Sequence, residues 1–208
     1  MAAATDFRKT LDSYRAKAGE FRILDLPPRQ YLMIDGRGDP NTSAYSDAIS
    51  TIYPVAYKLK FASEHAGRDY VVPPLEALWS APDMAAFTSR RDKSQWDWTL
   101  LNLVPDWVTQ ADVDEAVRVV ATRSRPPGLE DVRLETLEEG RCVQTLHLGP
   151  FDDEAETLAR MHDEFIPGAG AGLTGRHHEI YFSDTRKVDP AKFRTILRQP
   201  VAATDLVG

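Results

Sequence analysis

The chain has 208 residues, of which 42% are hydrophobic and 27% charged, a composition typical of a globular protein with a sizeable core. Its formal net charge of -7 argues against nucleic acid or an anionic membrane as a partner, because both require a basic face. The single cysteine, Cys142, excludes an internal disulfide and a cysteine-based zinc site. We therefore expect a neutral or cationic small molecule as partner, and the oligomeric state stays open.

The N-terminal residues do not predict a signal peptide. Residues 1–6 have no basic segment followed by an apolar run, so no signal peptide is predicted. No stretch reaches the ~18 apolar residues that a membrane span requires. We expect a cytoplasmic protein.

The N-terminal third predicts a strand followed by a long helix. Residues 1–28 form a charged arm, and residues 31–34 read as a buried strand that a turn rich in Gly, Asp and Pro closes. From Asn41 or Ser43 onward, apolar residues recur at helical spacing on one face: Ala48, Ile52, Val55, Leu59 and Ala62. Pro54 lies inside this pattern and is expected to kink or interrupt the helix.

Two strands and a capped helix follow. Residues 75–80 and 96–104 are predicted strands. Thr109 and Asp112 have the spacing of a capping box and predict the start of the next helix. The segment 123–128, rich in Arg, Pro and Gly, is the best candidate for a linker.

The second half predicts a similar order of elements. In chain order these are a hairpin of residues 132–138 and 141–148, a helix after Asp152, a flexible loop over 168–175, a strand over 177–183, and a last helix that opens at Asp189 and Pro190. The side chains expected to be buried in the two helices are Ala155, Leu158, Met161 or His162, Phe165, Phe193, Ile196 and Leu197.

The two halves therefore share an order of strand, turn, helix, strand region and capped helix. We predict an α+β fold that consists of a duplicated unit with pseudo-twofold symmetry, within one domain over residues 1–208. The first repeat is expected at about 29–123 and the second at about 129–200. A cleft between two such halves is a natural ligand site.

The segment 176–184 carries the most informative chemistry. As a strand it places Glu179 and Tyr181 on one face, so that a carboxylate lies beside a phenol. In a chain rich in Tyr and Trp, this predicts an aromatic pocket with one acid that handles a cation or a proton. The alternative is a solvent-facing carboxylate, or one that pairs with Arg176 or His177.

Aromatic rings concentrate in the first half. The Tyr and Trp residues in question are Tyr53, Tyr57, Tyr70, Trp79, Trp96, Trp98 and Trp107. Core packing accounts for any single ring, but their number exceeds what a core of this size requires. Such rings can stack on a flat ligand or hold a cation.

Other kinds of site find no support. His177 and His178 are adjacent and point to opposite faces of a strand, while His147 and His162 have no second ligand at metal spacing. No nucleophile elbow or triad pattern is present, and the glycine clusters do not have the context of phosphate loops. We expect no metal and no cofactor, and we reject nucleotide binding.

Several segments in order resemble the GyrI-like small-molecule-binding proteins. They are PPRQYLMIDGRGDP over 27–40, PLEALW over 74–79, WDWT over 96–99, PDWV over 105–108, HHEIYFSD over 177–184 and LRQPV over 197–201. The resemblance covers nearly the whole chain. It implies two strand–helix–strand–strand repeats around a pseudo-twofold axis, with a ligand cleft between them. Related multidrug-responsive regulators fuse this domain to a helix-turn-helix region, whereas the 28 residues before the first strand are too few for one, so we expect a stand-alone member.

The resemblance also implies two functions for stand-alone members. Some resemble binders of flat, lipophilic or cationic drugs, and a subset resembles hydrolases that open the cyclopropane ring of DNA-alkylating cyclopropanoid natural products. The expected function is this hydrolysis, with Glu179 as general base and Tyr70 or Tyr181 as the phenol that donates to the developing phenolate. The expected ligand-binding rings are Trp98, Trp79, Tyr57, Trp107 and Phe182.

One position departs from the family pattern: Ser80 stands where a second aromatic residue after Trp79 is expected. Two alternatives to hydrolysis remain open. The first is a multidrug-binding or sequestering protein without chemistry, in which Glu179 is a counter-charge for a cation. The second is an interaction module whose cleft holds no ligand.

Overall fold

A computed structural model describes residues 4–82 and 92–204. The strands are β1 Arg22–Leu26, β2 Arg29–Arg37, β3 Leu75–Ser80, β4 Asp97–Leu103, β5 Arg133–Leu137, β6 Gly140–Leu148, β7 Ala171–Leu173, β8 His177–Tyr181 and β9 Arg194–Ala203. The helices are α1 Phe7–Thr10, α2 Ser43–His65, α3 Gln110–Arg123, α4 Glu154–Ala159 and α5 Ile166–Gly168, with a π-helical turn over Arg160–Phe165 between the last two. The mixture of helices with antiparallel strands confirms the predicted α+β class.

The chain divides into two compact units. Unit 1 consists of Met1–Asp12 and Arg29–Leu137, and unit 2 consists of Ser13–Pro28 and Glu138–Gly208. The N-terminal arm is therefore shared, because its first part belongs to unit 1 and its second part to unit 2. The duplication of one unit, its pseudo-twofold symmetry and the cleft between the halves stay predictions.

Unit 1 is an antiparallel sheet with two helices packed on it. The strand order is β3-β4-β2-β5. Helix α2 packs on β2, β4 and α3. Of its predicted stripe, Ala48, Ile52, Val55 and Leu59 are buried and Ala62 is exposed.

Helix α2 continues through Pro54, so the predicted interruption is wrong. Pro54 lacks the N–H that would close one helical hydrogen bond, which by itself disfavours this position. Ile52, Val55 and Ala56 on either side of it are fully buried. The burial of this apolar face therefore outweighs the local cost of the proline.

The capping box at the start of α3 is confirmed. The Thr109 backbone N–H donates to Asp112 Oδ2 at 2.8 Å, and the Asp112 backbone N–H donates to Thr109 Oγ1 at 3.3 Å. The Thr109 hydroxyl also donates to Asp112 Oδ2 at 2.7 Å. These bonds hold the pKa of the Asp112 carboxyl below its usual range, which keeps a negative charge at the helix N-terminus.

Unit 2 is an antiparallel sheet in the order β1-β6-β9-β8, and β7 also pairs with β9. The helical segment from α4 to α5 covers it. Met161 and Ile166 of that segment pack with Val143, Leu197 and Val201 in a buried cluster. Leu158 and Phe165 pack against the same cluster, as the predicted inward face requires, whereas Ala155 is exposed.

Three predictions for the second half are wrong. The segments 132–138 and 141–148 do not form a hairpin, because β5 pairs with β2 and β6 pairs with β1 and β9. The region 168–175 is not only a loop, because it contains β7. The last helix is absent: Asp189 does cap a single 3₁₀ turn over Pro190–Lys192, but the chain then continues as β9. Residues 195–201 of β9 are all buried, since β9 is an interior strand that pairs on both sides.

No helix within the two described ranges is long and apolar enough to cross a lipid bilayer.

Gly36 permits a close approach of backbone to an aromatic ring in unit 1. It pairs with Trp98 across β2 and β4, and a Cβ atom at Gly36 would overlap the six-membered ring of Trp98. The indole therefore lies flat across a position where only glycine fits. The orientation of Trp98 depends on this glycine.

Replacing Gly36 with alanine is expected to displace the Trp98 ring and to lower the free energy of unfolding by about 1–3 kcal/mol, the usual cost of overpacking. Denaturant titration measures the loss, and near-ultraviolet circular dichroism reports the altered indole environment. Gly168→Ala is the matched control, because a Cβ atom there meets nothing within 4 Å. Equal stability of the two variants would contradict the proposed role of Gly36.

Candidate functional site

One face of β8 carries three polar side chains, from His177, Glu179 and Tyr181. The Tyr181 hydroxyl donates a hydrogen bond of 2.7 Å to Glu179 Oε2. His177 Nε2 lies 3.5 Å from the other carboxylate oxygen, Oε1, and the exposed fractions of these two side chains are 11% for His177 and 13% for Glu179. The alternation of the strand thus brings the predicted acid and phenol into direct contact, and it adds the histidine that the sequence offered as an alternative partner.

A phenylalanine ring packs against the phenol, and a second one packs behind it. Phe151 meets the Tyr181 ring edge-on, with centroids 5.5 Å apart, and Phe193 packs against Phe151 at 5.3 Å. The predicted ligand ring Phe182 instead meets Tyr14 of the arm edge-on at 6.1 Å. Phe151 was not predicted as a site residue, and Phe193 was predicted to lie in a helix, because local spacing in the sequence does not indicate which residues these two rings contact.

His162 approaches the same face from the π-helical turn. Its ring meets that of His177 edge-on at 6.1 Å. Burial, and then repulsion from His177, lowers the pKa of His162 to about 4, so its imidazole is neutral at neutral pH. π-Helical turns often occur at functional sites, but this one has no signal in the sequence.

The opposite face of β8 rests on a buried ionic cluster. Glu139 accepts from His178 Nδ1 at 2.9 Å through Oε1 and from Arg198 Nη1 at 3.0 Å through Oε2. Arg198 also donates from Nε to Gln144 Oε1 at 3.1 Å and from Nη2 to the Ser13 carbonyl at 2.9 Å. The cluster thus ties three strands and the arm together behind Glu179.

The Glu139 carboxylate of this cluster is ionised at neutral pH. Burial would raise the pKa of Glu139, but attraction to His178 and Arg198 and their hydrogen bonds outweigh it and lower the pKa to about 2. Burial also raises the pKa of the nearby Cys142 thiol to about 12, so that thiol is not a nucleophile.

An aromatic cluster in unit 1 contains the predicted rings Trp79 and Trp98. Tyr45, from the first turn of α2, stacks on Trp79 at 5.7 Å and meets Trp98 edge-on at 5.1 Å. Trp96 meets Trp79 edge-on at 5.6 Å. Tyr45 was not predicted as a site residue, because it lies more than 30 residues from both indoles in the chain.

Trp98 has an unused hydrogen-bond donor. The residue is 3% exposed, and its buried Nε1 has no hydrogen-bond partner among the described residues. A buried N–H without a partner is costly, so this donor is available to an acceptor.

Tyr70 is buried in unit 1, and the partly buried Trp107 packs against it. The Tyr70 ring meets Phe7 edge-on at 6.4 Å and Trp107 at 6.3 Å, and its hydroxyl has no partner among the described residues. Burial raises the pKa of Tyr70, so the phenol stays protonated. Trp107 Nε1 donates to Ser63 Oγ at 3.2 Å, which holds that indole in place.

Tyr57 lies on the outer face of α2 and is 48% exposed. It stands between Tyr53 and Phe61, with centroid distances of 6.3 Å to each. The three rings follow the spacing of four residues along the helix. The roles of Tyr57, Tyr70, Trp107 and Phe182 toward a ligand stay predictions.

Comparison with known proteins identifies relatives over the full length. A family model described as the GyrI-like small molecule binding domain matches residues 99–202. The crystal structure of an uncharacterized conserved protein from Listeria innocua is 35% identical, covers 95% of this chain and 100% of its own, and superposes with a TM-score of 0.86. The crystal structure of a hydrolase encoded by lin2189 from Listeria innocua is 34% identical, covers 96% of this chain and 100% of its own, and superposes with a TM-score of 0.85.

A more distant likeness concerns the fold alone. The EcmrR C-terminal domain is 14% identical, covers 89% of this chain and 98% of its own, and has a TM-score of 0.58. No curated protein sequence matches the chain significantly.

The matching family model places the chain in a class of domains that bind small molecules. Within this class, the chain belongs to the GyrI-like small-molecule-binding family, as the matching family model and the full-length relatives show. The predicted family is therefore confirmed.

Proposed function

We propose that this protein adds water to the cyclopropane ring of cyclopropanoid DNA-alkylating toxins and thereby detoxifies them in the cytoplasm. The observation that carries the proposal is the hydrogen-bonded pair of Glu179 and Tyr181, held on one face of β8 and largely shielded from solvent. A carboxylate in this setting can accept a proton from water, and the adjacent phenol can donate one.

For the fold, we propose that residues 29–123 and 129–200 are copies of one strand–helix–strand–strand unit.

The proposed reaction needs one base and one hydrogen-bond donor. Glu179 takes a proton from water while the water oxygen forms a bond to the strained ring carbon. The cyclopropane C–C bond breaks, and its electron pair moves into the conjugated carbonyl, whose oxygen becomes a phenolate. Tyr181 donates its hydroxyl proton to that oxygen, and exchange of protons with solvent restores both side chains. The net change is the gain of one water by the ligand.

Binding is assigned to the aromatic residues. We propose that Trp79 and Trp98 stack on the flat ligand and that the free Trp98 N–H donates to a ligand oxygen. Tyr57, Trp107 and Phe182 remain proposed ring contacts, and Tyr70 is the alternative phenol. The hydrogen bond to Glu179 favours Tyr181 over Tyr70 as the donor.

The similar proteins from Listeria innocua add support. Two of them, each 34% identical to this chain and covered over their full length, are described as hydrolases. Hydrolysis by this chain is consistent with that description, and the substrate class is our proposal.

The test is incubation of the purified protein with a duocarmycin-type cyclopropanoid, followed by mass spectrometry. We expect the ligand to gain one water faster than in buffer or with heat-denatured protein. Assaying Tyr181→Phe beside Tyr70→Phe then identifies the donating phenol, since only loss of that hydroxyl slows conversion. An unchanged ligand would overturn the proposal.

A second candidate function is sequestration of a lipophilic cation without chemistry. The Glu179 carboxylate lies beside Tyr181, whose ring contacts Phe151. This arrangement favours the second function, because a carboxylate together with aromatic rings can bind a cation. In that case a flat cationic ligand raises the melting temperature of the protein and is recovered unaltered.

A further inference from the structure

The two oxygens of Glu179 face two different side chains. Oε2 accepts the hydrogen bond from Tyr181 at 2.7 Å, and Oε1 faces His177 Nε2 at 3.5 Å. The three residues alternate along β8, so the strand itself aligns them. Each carboxylate oxygen has two lone pairs, so each can accept a further hydrogen bond from a water molecule.

In the proposed reaction Tyr181 must leave Glu179 in order to donate to the substrate. Without a second contact, the carboxylate would then be free to rotate away from the water that it activates. His177 is the described side chain that contacts the other oxygen. Its 3.5 Å contact is longer than a normal hydrogen bond, and such contacts often shorten once a ligand completes an active site.

The surroundings of His177 hold its ring in place. Its imidazole is largely buried, and neither Nδ1 nor Nε2 has a hydrogen-bond partner among the described residues, so Nε2 is available to Glu179 and no competing contact turns the ring away. His162 packs edge-on against it, and the lowered pKa of His162 keeps that neighbour uncharged. On the other face of the strand, His178 is fixed by Glu139.

We propose that His177 is a positioning residue for Glu179: its Nε2–H holds Oε1, so that the carboxylate keeps its orientation when Tyr181 turns to the substrate. This inference rests on the proposed function. His177 itself does not touch the reacting atoms.

Two substitutions of similar size separate positioning from packing. The side-chain amide of His177→Gln reaches about as far as Nε2 and can donate to Glu179, whereas that of His177→Asn reaches only as far as Nδ1. We expect His177→Asn to lower kcat on the order of 10- to 100-fold with little change in KM, because a misaligned base weakens the chemical step but not binding. We expect His177→Gln to restore most of the rate. Equal loss in both variants, or a wild-type rate in His177→Asn, would overturn the inference.

A second measurement does not depend on turnover. We expect nuclear magnetic resonance to detect a His177 Nε2–H proton that exchanges slowly with water in the wild type. Its protection should be lost in Glu179→Ala and kept in Glu156→Ala, which removes an exposed carboxylate of α4. If the wild type does not convert the cyclopropanoid, the proposed function fails, and this resonance still decides whether His177 holds Glu179. A proton that exchanges rapidly in the wild type, or stays protected in Glu179→Ala, would refute the contact.

Discussion

Glu179→Gln is expected to reduce turnover of a cyclopropanoid substrate by roughly 10²- to 10⁴-fold, the usual contribution of a general base. Glutamine has nearly the shape of glutamate and still accepts the hydrogen bond from Tyr181, but it cannot take a proton from water. We therefore expect KM for a neutral ligand to change little while kcat falls. Initial rates by mass spectrometry, with binding measured separately by calorimetry, distinguish these two effects.

The matched control is Glu156→Gln, which removes the same charge from an exposed position on α4. It should retain wild-type kcat and KM. A wild-type rate in Glu179→Gln would exclude Glu179 as the base. If instead the wild type shows no turnover and the variant loses affinity only for cations, Glu179 is a counter-charge and the protein sequesters its ligand.

Arg198→Met is expected to lower the free energy of unfolding by about 3–5 kcal/mol, because it leaves the buried Glu139 carboxylate without its guanidinium partner. The substitution also removes the bonds from Arg198 to Gln144 and to the Ser13 carbonyl. Denaturant titration measures the loss. The double variant with Glu139→Gln should recover part of it, since no buried charge is then left unpaired.

Arg133→Met is the matched control. Arg133 pairs with Asp35 at 2.9 Å and with Glu135 at 2.7 Å, but its side chain is 37% exposed, so its loss should cost no more than about 1 kcal/mol. Equal effects of the two substitutions would show that the buried cluster does not stabilise unit 2.

The same cluster determines an acid limit of stability. The pKa of Glu139 is about 2 in the folded protein, below its usual value of 4.5, so the unfolded chain binds the proton more readily. Its contribution is therefore complete above about pH 4.5 and is lost as the pH falls toward 2. In Glu139→Gln, this component of the acid transition should be absent.

Elements with a strong local pattern could be predicted. The buried stripe of α2, the capping box of Thr109 and Asp112, and the shared face of Glu179 and Tyr181 all follow from spacings of two to four residues. Local chemistry determines such features, because the interacting groups are neighbours in the chain.

Elements whose pairing partners are distant in the sequence could not be predicted. Asp189 and Pro190 carry a genuine helix-start signal, yet β9 follows, because pairing with β6 and β8 stabilises a strand there. The hairpin predicted at Gly140 fails for the same reason: β5 and β6 each pair with strands far away in the sequence.

The features of the candidate site also fall into those that the sequence predicts and those that depend on tertiary contacts. The sequence by itself determined the family, the α+β class and the pairing of acid with phenol, since these depend on residue types and on alternation within one strand. Only the tertiary structure decided that His162 and Phe151 lie beside this face, that Tyr45 stacks on Trp79, and that Gly36 lies under Trp98. These contacts join residues far apart in the chain, and packing rather than spacing selects them.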